Sequence, residues 1–330
     1  MSVGWGIVGC GDITNKAVAP AINAQPDSEL VAFFSNSPER AEEMRAAHGA
    51  KRAYSHLDDI LADDEVDVIY VASPVHRHAP ESIAAARAGK HVICEKPMAL
   101  TMPEAEEMIA AAEDAGVHLA AAYYRRFYPK ARKMKQLLDE GAIGKPLLAQ
   151  VAIGSRPVIT EDNPKHWRTV IATAGGGALM DVGSHRLDIT CWLLGEPERV
   201  CGFADNLDRP DMQVPDTESL LCRMASGAHL HCTAYWSMPD RADDMEIWGT
   251  EGRLLATPFD GPELTVVRGD ERQTLDLPRP DNPHYPLVDD FARGLVEGRG
   301  PTFTGRDGIL AQRIINGCYD SSRSHHVPTV

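Results

Sequence analysis

The amino-terminal part of the chain alternates between short apolar runs and amphipathic stretches, and this alternation constrains the fold more than any other feature. Val3–Val8, Leu30–Phe34, Val66–Ala72, His91–Cys94 and Val117–Ala122 read as strands. Between them, Ser37–His48, Leu57–Asp63, Pro80–Ala88 and Pro103–Ala115 carry apolar residues three and four apart, the spacing of one helical face. Gly89 and Gly116 stand where helices should stop, and Thr101 with Glu104 makes a capping box for the helix after Pro103. Parallel strands need crossover connections, and the intervening helices supply them. Residues 1–122 are therefore predicted to form a parallel, doubly wound sheet.

From residue 123 the rhythm changes. A helix (Tyr128–Glu140) leads to a strand at Leu147–Ile153 and a loop holding Trp167 and Arg168, and Gly175-Gly176-Gly177 opens a long helix that Gly195 stops. Strands then follow one another: Arg199–Ala204, Thr217–Met224, His229–Trp236, Met245–Trp248, Arg253–Ala256, Leu264–Val267 and Gln273–Leu277. Hairpin-length turns at Ser226-Gly227 and Glu251-Gly252 make neighbours antiparallel, Thr217–Met224 with His229–Trp236 above all. Helices at Pro286–Glu297 and Arg306–Ser322 close the chain. The expectation is a second, α+β domain over residues 123–330 with an open, mainly antiparallel sheet. A length of 330 residues fits two domains.

Charge and cysteine usage exclude several partners. The net charge of −15 repels a nucleic-acid backbone, and the one dense basic run, Arg125 to Lys135, is diluted by apolar residues and reads as a solvated helix face. No run approaches the roughly 18 apolar residues of a membrane span, and no basic leader precedes an apolar stretch at the start. Seven cysteines without a C-x-x-C pair point to reduced thiols and a cytoplasmic location.

Gly9 and Gly11 follow the first strand directly and precede a helix, which suits a dinucleotide phosphate turn: the first glycine for the bend, the second for close approach of backbone to pyrophosphate. Asp12 and Ile13 complete the turn, and Thr14 occupies the place of the third glycine. After the second strand, where an NAD site usually has a carboxylate for the ribose, the chain has Ser35-Asn36. Ser37 as N-cap and Pro38 as first helical residue put Arg40 in the first turn, where a docked phosphate offsets its unfavourable position against the helix dipole. NADP is therefore favoured, with NAD as the alternative. Glu95-Lys96-Pro97 ends the fourth apolar run of the parallel sheet, at the edge where such sheets bind ligands. Asp181 and His185, four apart, share one helical face and suit a coupled acid–base pair.

Taken in order, Gly9-Cys10-Gly11-Asp12-Ile13, Ser73-Pro74 with His78, Glu95-Lys96-Pro97, Tyr123-Tyr124-Arg125-Arg126-Phe127, Trp167-Arg168, Gly175-Gly176-Gly177-Ala178-Leu179, Asp181-x-Gly183-x-His185 and Gly249-Thr250-Glu251-Gly252 resemble the glucose–fructose oxidoreductase/inositol dehydrogenase/MocA family. The resemblance covers residues 3–256 and implies a Rossmann domain that binds NAD(P), followed by a substrate domain whose open sheet joins subunits as a homodimer or homotetramer. It also implies hydride exchange between nicotinamide and a hydroxyl of a sugar, anhydrosugar or cyclitol. Lys96, Asp181 and His185 become the catalytic set: His185 takes the hydroxyl proton, Lys96 hydrogen-bonds the reacting oxygen, and Asp181 orients the site. Gly9, Gly11, Asp12, Ile13, Ser35, Asn36, Arg40, Ser73, Pro74, His78, Glu95, Lys96, Arg125, Trp167 and Arg168 become the cofactor set. A cis Lys96–Pro97 bond is implied as well. Ser35 with Arg40 resembles the minority that use NADP, whereas Tyr124 departs from the asparagine common in relatives.

Three other readings compete. His76-x-His78 and His229-x-His231 each offer two metal ligands, but no third ligand stands at suitable spacing, so no metal is expected. A redox-assisted glycosidase and a cofactor-binding regulatory sensor without turnover share the fold.

Overall fold

The structure is a computed structural model that describes residues 2–324. It divides into two compact units. One holds the chain through Tyr124 together with Pro280–Ile309; the other holds Arg125–Arg279 and the chain from Leu310.

The first unit contains β1 (Val3–Val8), β2 (Ser28–Phe34), β3 (Arg52–Tyr54), β4 (Val68–Val71), β5 (His91–Cys94) and β6 (Leu119–Ala121) in the order β3-β2-β1-β4-β5-β6. Every pair is parallel. All six residues of β1 and all four of β4 are buried, because helices cover both faces; this is why these strands read as continuous apolar runs. Connecting helices are α1 (Ala19–Ala24), α2 (Pro38–His48), α3 (Leu57–Leu61), α4 (His78–Arg87) and α5 (Met102–Asp114). The capping box forms in both directions, Glu104 N–H to the Thr101 hydroxyl and Thr101 N–H to the Glu104 carboxylate. Gly89 and Gly116 end their helices at φ of 76° and 66°. The turns leaving β1, β2, β4 and β5 all emerge at the carboxyl edge. In this strand order the sequence of strands reverses between β1 and β4, the place where ligands bind.

The second unit is built on an eight-stranded sheet in the order β14-β13-β12-β11-β7-β10-β9-β8. Its strands are β7 (Pro146–Gly154), β8 (Pro197–Asp205), β9 (Thr217–Met224), β10 (His229–Tyr235), β11 (Ala242–Gly249), β12 (Arg253–Ala256), β13 (Glu263–Arg268) and β14 (Glu271–Asp276). β9 and β10 are antiparallel neighbours, and the one parallel pair is β7 with β10. Helices of this unit include α6 (Pro129–Asp139), α7 (Ile171–Ala174) and α8 (Ser184–Leu194); in β9 and β10 alternate residues are buried because one face of the sheet is covered, with α8 against β7 and the turn before it against β7 and β10. His229 and His231 stay exposed on the other face with Leu221 and Phe203, whereas Tyr235 is buried and its hydroxyl donates to Asp240 O.

Four expectations are corrected. Residues 280–309, including α9 (Tyr285–Val296), pack with the first unit, so 123–330 is not one continuous domain. Asn282 fastens this return by donating to Ala17 O, and Gln25 reaches Asp289. α10 (Gly305–Ser324) then divides between the units. The basic run at the start of the second unit is not wholly a solvated face. Arg126 forks onto Asp188, and Lys130 is 1% exposed, donating to Pro258 O and held down to about pKa 8 by burial. β3 lies in a stretch with no strand signal. Finally, the helix through Asp181 does not start at Gly175: that residue ends α7 at φ 76°, and a π-helical turn, Leu179–Gly183, precedes α8.

Among the described residues no helix is long and apolar enough to cross a membrane, and no group of three or more His, Cys, Asp or Glu is arranged for a metal ion.

Candidate active site

In the first unit the chain bends at Gly9 with φ 107°, and a Cβ there would lie 2.7 Å from the Ala72 carbonyl, so β1 and the end of β4 approach too closely for any side chain. At Gly11 an added Cβ would meet nothing within 4 Å, leaving that stretch of backbone uncovered. Asn15 N–H already bonds the Gly11 carbonyl, so a helical turn begins at once, through exposed Asp12 and half-buried Ile13. Thr14 explains the missing third glycine. Its buried hydroxyl donates to Gly9 O at 2.7 Å and closes the turn from within. A π-helical turn, Thr14–Val18, follows. A bend that only glycine fits, an uncovered backbone and a helix start suit a pyrophosphate.

Beside it, Ser37 caps α2 by accepting Arg40 N–H, with Pro38 first in the helix. The half-buried Ser35 hydroxyl accepts Ser37 N–H at 3.2 Å and keeps its own proton to donate; Asn36 is exposed. Arg40 is exposed, yet its charge is felt at Cys10, whose thiol burial pushes up to about 11 while the guanidinium opposes the rise. Glu39 shares that first turn, accepting the Ser37 hydroxyl proton at 2.8 Å, and is an opposing charge that the sequence reading missed.

Ser73 and Pro74 follow β4, and the Ser73 hydroxyl donates to Glu81. Three residues expected at the cofactor are each engaged by neighbours inside the protein. His78 is 1% exposed; its ring nitrogens face Pro97 O at 2.9 Å and Ser73 O at 2.8 Å, stitching the turn after β4 to that after β5. Burial lowers its pKa, so one carbonyl receives the single N–H of a neutral ring. Glu95 is 7% exposed and accepts from the Tyr70 hydroxyl (2.9 Å), His284 Nε2 (3.2 Å) and Lys96 N–H (3.2 Å). Burial alone would raise its pKa, but these donors and the Lys96 charge bring it below the usual value. Lys96 follows, half-buried, before the cis bond to Pro97. Arg125, in the second unit, forks onto Asp260 at 2.9 and 2.6 Å.

The other expected residues also belong to the second unit. Trp167 and Arg168 lie on a 3-10 turn, His166–Thr169, with the Arg168 guanidinium over the Trp167 ring. Arg168 also donates to Asp181 Oδ2 at 3.2 Å, joining two expected residues directly. Asp181 sits in the π-helical turn, half-buried, and His185 opens α8 at 4% exposure. The glycines before them are small because neighbours crowd them: a Cβ at Gly177 would strike Pro215 O, and one at Gly176 the Tyr319 ring. Gly177 N–H donates to the Tyr319 hydroxyl and Leu179 N–H to Glu218 Oε1, fixing the backbone that precedes Asp181.

The sequence reading missed Tyr70, His284 and Glu218. A tyrosine in the buried run of β4 is a signal that its hydroxyl needs a partner; His284 and Glu218 carry none.

Two family models match the chain: an oxidoreductase family with an NAD-binding Rossmann fold over residues 3–123, and a GFO/IDH/MocA C-terminal domain over residues 131–255. A 1,5-anhydro-D-fructose reductase of Ensifer adhaerens is 30% identical, with 92% of each chain covered. A D-xylose 1-dehydrogenase (NADP(+)) of Haloferax volcanii is 29% identical over 97% of each. A levoglucosan dehydrogenase solved with NADH and levoglucosan superposes with TM-score 0.90 at 25% identity, covering both chains fully.

Proposed function

The chain belongs to the GFO/IDH/MocA family of NAD(P)-dependent oxidoreductases, and from that premise we propose that it exchanges hydride with a hydroxyl or carbonyl of a sugar, anhydrosugar or cyclitol. The observation that carries the reading is the turn at the edge of the parallel sheet, closed by Thr14 at Gly9 and uncovered at Gly11, with Lys96 ending β5 on the same edge. The substrate class rests on the relatives named for anhydrofructose, xylose and levoglucosan.

In this reading Gly9, Gly11, Asp12 and Ile13 hold the pyrophosphate, and Ser73 and Pro74 border the nicotinamide half. Ser35, Asn36 and Arg40 hold the adenosine ribose and favour a 2′-phosphate. Bound nicotinamide supplies the hydride acceptor or donor. His185 removes the hydroxyl proton as the carbonyl forms, and Lys96 donates a hydrogen bond to the oxygen whose charge changes. Asp181, tied to Arg168, orients the substrate, and Trp167 lines the same turn. Glu95, His78 and Arg125 support these residues from within.

Residues 1–124 with 280–309 serve as the cofactor domain and the remainder as the substrate and assembly domain. Subunits join through the open face of the second sheet, where Leu221 and Phe203 are 54% and 55% exposed. The seven thiols are unpaired, which supports a cytoplasmic setting; finding the protein in a secreted fraction would overturn that part.

Absorbance of NADH and NADPH, followed across a panel of sugars, anhydrosugars and polyols, tests the function. Turnover with at least one ring substrate is expected. Tight cofactor binding with no turnover across the panel would instead favour a regulatory sensor.

A further inference from the structure

The residues that return to the first unit bring one side chain into the neighbourhood of Lys96. His284 has no exposed surface, and its Nε2 lies 3.2 Å from Glu95 Oε1. A carboxylate only accepts, so Nε2 carries the proton. Nδ1 is buried without a hydrogen-bond partner among the described residues. The ring is held on two sides. Its backbone N–H donates to Asn282 Oδ1 at 2.9 Å, and the Tyr124 ring packs 4.2 Å from it. Asn282 in turn donates to Ala17 O, so the imidazole is anchored to the helix that follows the glycine turn.

Resting on the assignment of Lys96 as the group that bonds the reacting oxygen, we propose that His284 is a positioning residue: with Tyr70 it holds the buried Glu95 carboxylate in place, and that carboxylate fixes the Lys96 backbone and sets a negative charge beside its ammonium. Glu95 Oε1 accepts both Tyr70 and His284, while Oε2 accepts the Lys96 N–H. An acid buried this deeply stays charged only while several donors face it. Removing one returns the balance to burial, and a neutral Glu95 no longer opposes the Lys96 ammonium with a negative charge. Two further groups couple to Glu95, His78 and the Cys94 thiol. Burial depresses the first and raises the second, and it raises Tyr70 too.

The test reads Glu95 directly, in the full chain without cofactor. Glutamate labelled with carbon-13 at the carboxyl is titrated by NMR, the Glu95 signal being assigned by its loss in Glu95→Gln. In His284→Leu the Glu95 midpoint should rise by about one pH unit or more, because a donor to the charged form is gone. In His284→Gln, whose amide N–H reaches as far, the midpoint should return toward that of the parent. The acid limb of kcat, measured on a panel substrate, should move upward in His284→Leu by a similar amount, while NADPH binding, read by its fluorescence, stays within twofold. A folded His284→Leu with an unmoved Glu95 midpoint overturns the proposal. If His284→Leu does not fold, His284→Asn, too short to span the gap, replaces it with the same two outcomes. Failure of the catalytic assignment is separately visible: Lys96→Ala would then keep normal turnover, whatever Glu95 does in the His284 variants.

Discussion

Replacing Glu218 by glutamine should turn a pH-dependent liability into a constant. Glu218, on β9, is 1% exposed. Its Oε1 accepts Leu179 N–H at 3.2 Å and the Tyr319 hydroxyl at 3.3 Å, but Oε2 is buried with no partner among the described residues. Burial therefore pushes the carboxyl well above its usual value, with Asp216 adding to the rise, and the folded protein keeps the proton. The unfolded chain releases it near pH 4.3. From there upward the unfolded state binds fewer protons than the folded one, so stability falls as pH rises. The loss is about 1.4 kcal/mol per pH unit for as long as the folded group stays protonated.

Glutamine has the same shape and nothing to titrate, and its carbonyl still accepts from Leu179. At pH 4 the variant should lie within about 1 kcal/mol of the parent, the worth of one altered hydrogen bond. From pH 4.5 upward it should gain on the parent at about 1.4 kcal/mol per unit until the folded carboxyl ionises. Urea unfolding followed by tryptophan emission suits the measurement, because Trp167, Trp192, Trp236 and Trp248 lie in the second unit and only Trp5 in the first. A stability difference that stays flat from pH 4.5 to 7 would show Glu218 ionised in the folded state and refute the reasoning.

Other substitutions separate the roles assigned above. Lys96→Ala should lower kcat by about 10²-fold or more while the thermal melt stays in place; near-normal turnover would remove Lys96 from the chemistry. Arg40→Ala should weaken NADPH binding roughly ten- to a hundredfold and leave NADH binding unchanged, both read by fluorescence titration, and equal losses would make Arg40 an ordinary surface residue. Leu221→Glu, on the open sheet face beside the edge strand β8, should shift the protein toward monomers in sedimentation velocity; an unchanged sedimentation coefficient would locate the subunit contact elsewhere.

The sequence shows most of the first unit because local rules and the final packing agree there. β1 and β4 are apolar throughout and buried throughout, and the capping box at Thr101 is a contact between near neighbours. β9 and β10 are legible for a different reason: one covered face imposes a period of two on residues such as Leu220, Cys222 and Met224. What stays hidden depends on partners far along the chain. Lys130 and Arg126 read as solvated because charged side chains usually are, yet Asp188 and the carbonyl of Pro258 receive them. Nothing in Asn282-Pro283-His284 announces that Ala17 and Glu95 will hold it. The π-helical turn at Leu179–Gly183 escapes a pattern based on 3.6 residues per turn, since it shifts the register without changing which residues are apolar. The candidate site was legible in the same uneven way. The glycine turn and Lys96 are marked by local sequence, whereas Tyr70, His284 and Glu218 are identified only by what they touch.

Two buried glutamates, one legible in the sequence and one hidden, bind the two candidate reactive segments to acidity in opposite senses. Glu95 and Glu218 are the same side chain, buried to a similar depth, and their charge states differ because of what faces them. Glu95 has three donors spread over both oxygens and the Lys96 charge beside it, so its pKa falls below the usual value. Glu218 has its donors on one oxygen and Asp216 as the neighbouring charge, so its pKa rises. For Glu95 the folded state binds the proton less readily than the unfolded chain, and its stabilisation is present above the unfolded value and lost as pH falls through the folded one. For Glu218 the stabilisation is present below the unfolded value and fades as pH rises. The two slopes meet near the unfolded glutamate pKa, so these groups together favour a mildly acidic optimum for stability. Turnover follows a different logic. In the proposal Lys96 depends on the Glu95 carboxylate, whereas Leu179 N–H and the Tyr319 hydroxyl can donate to Glu218 in either charge state. Moving toward acid therefore threatens the Glu95 arrangement, whereas moving toward base costs stability through Glu218.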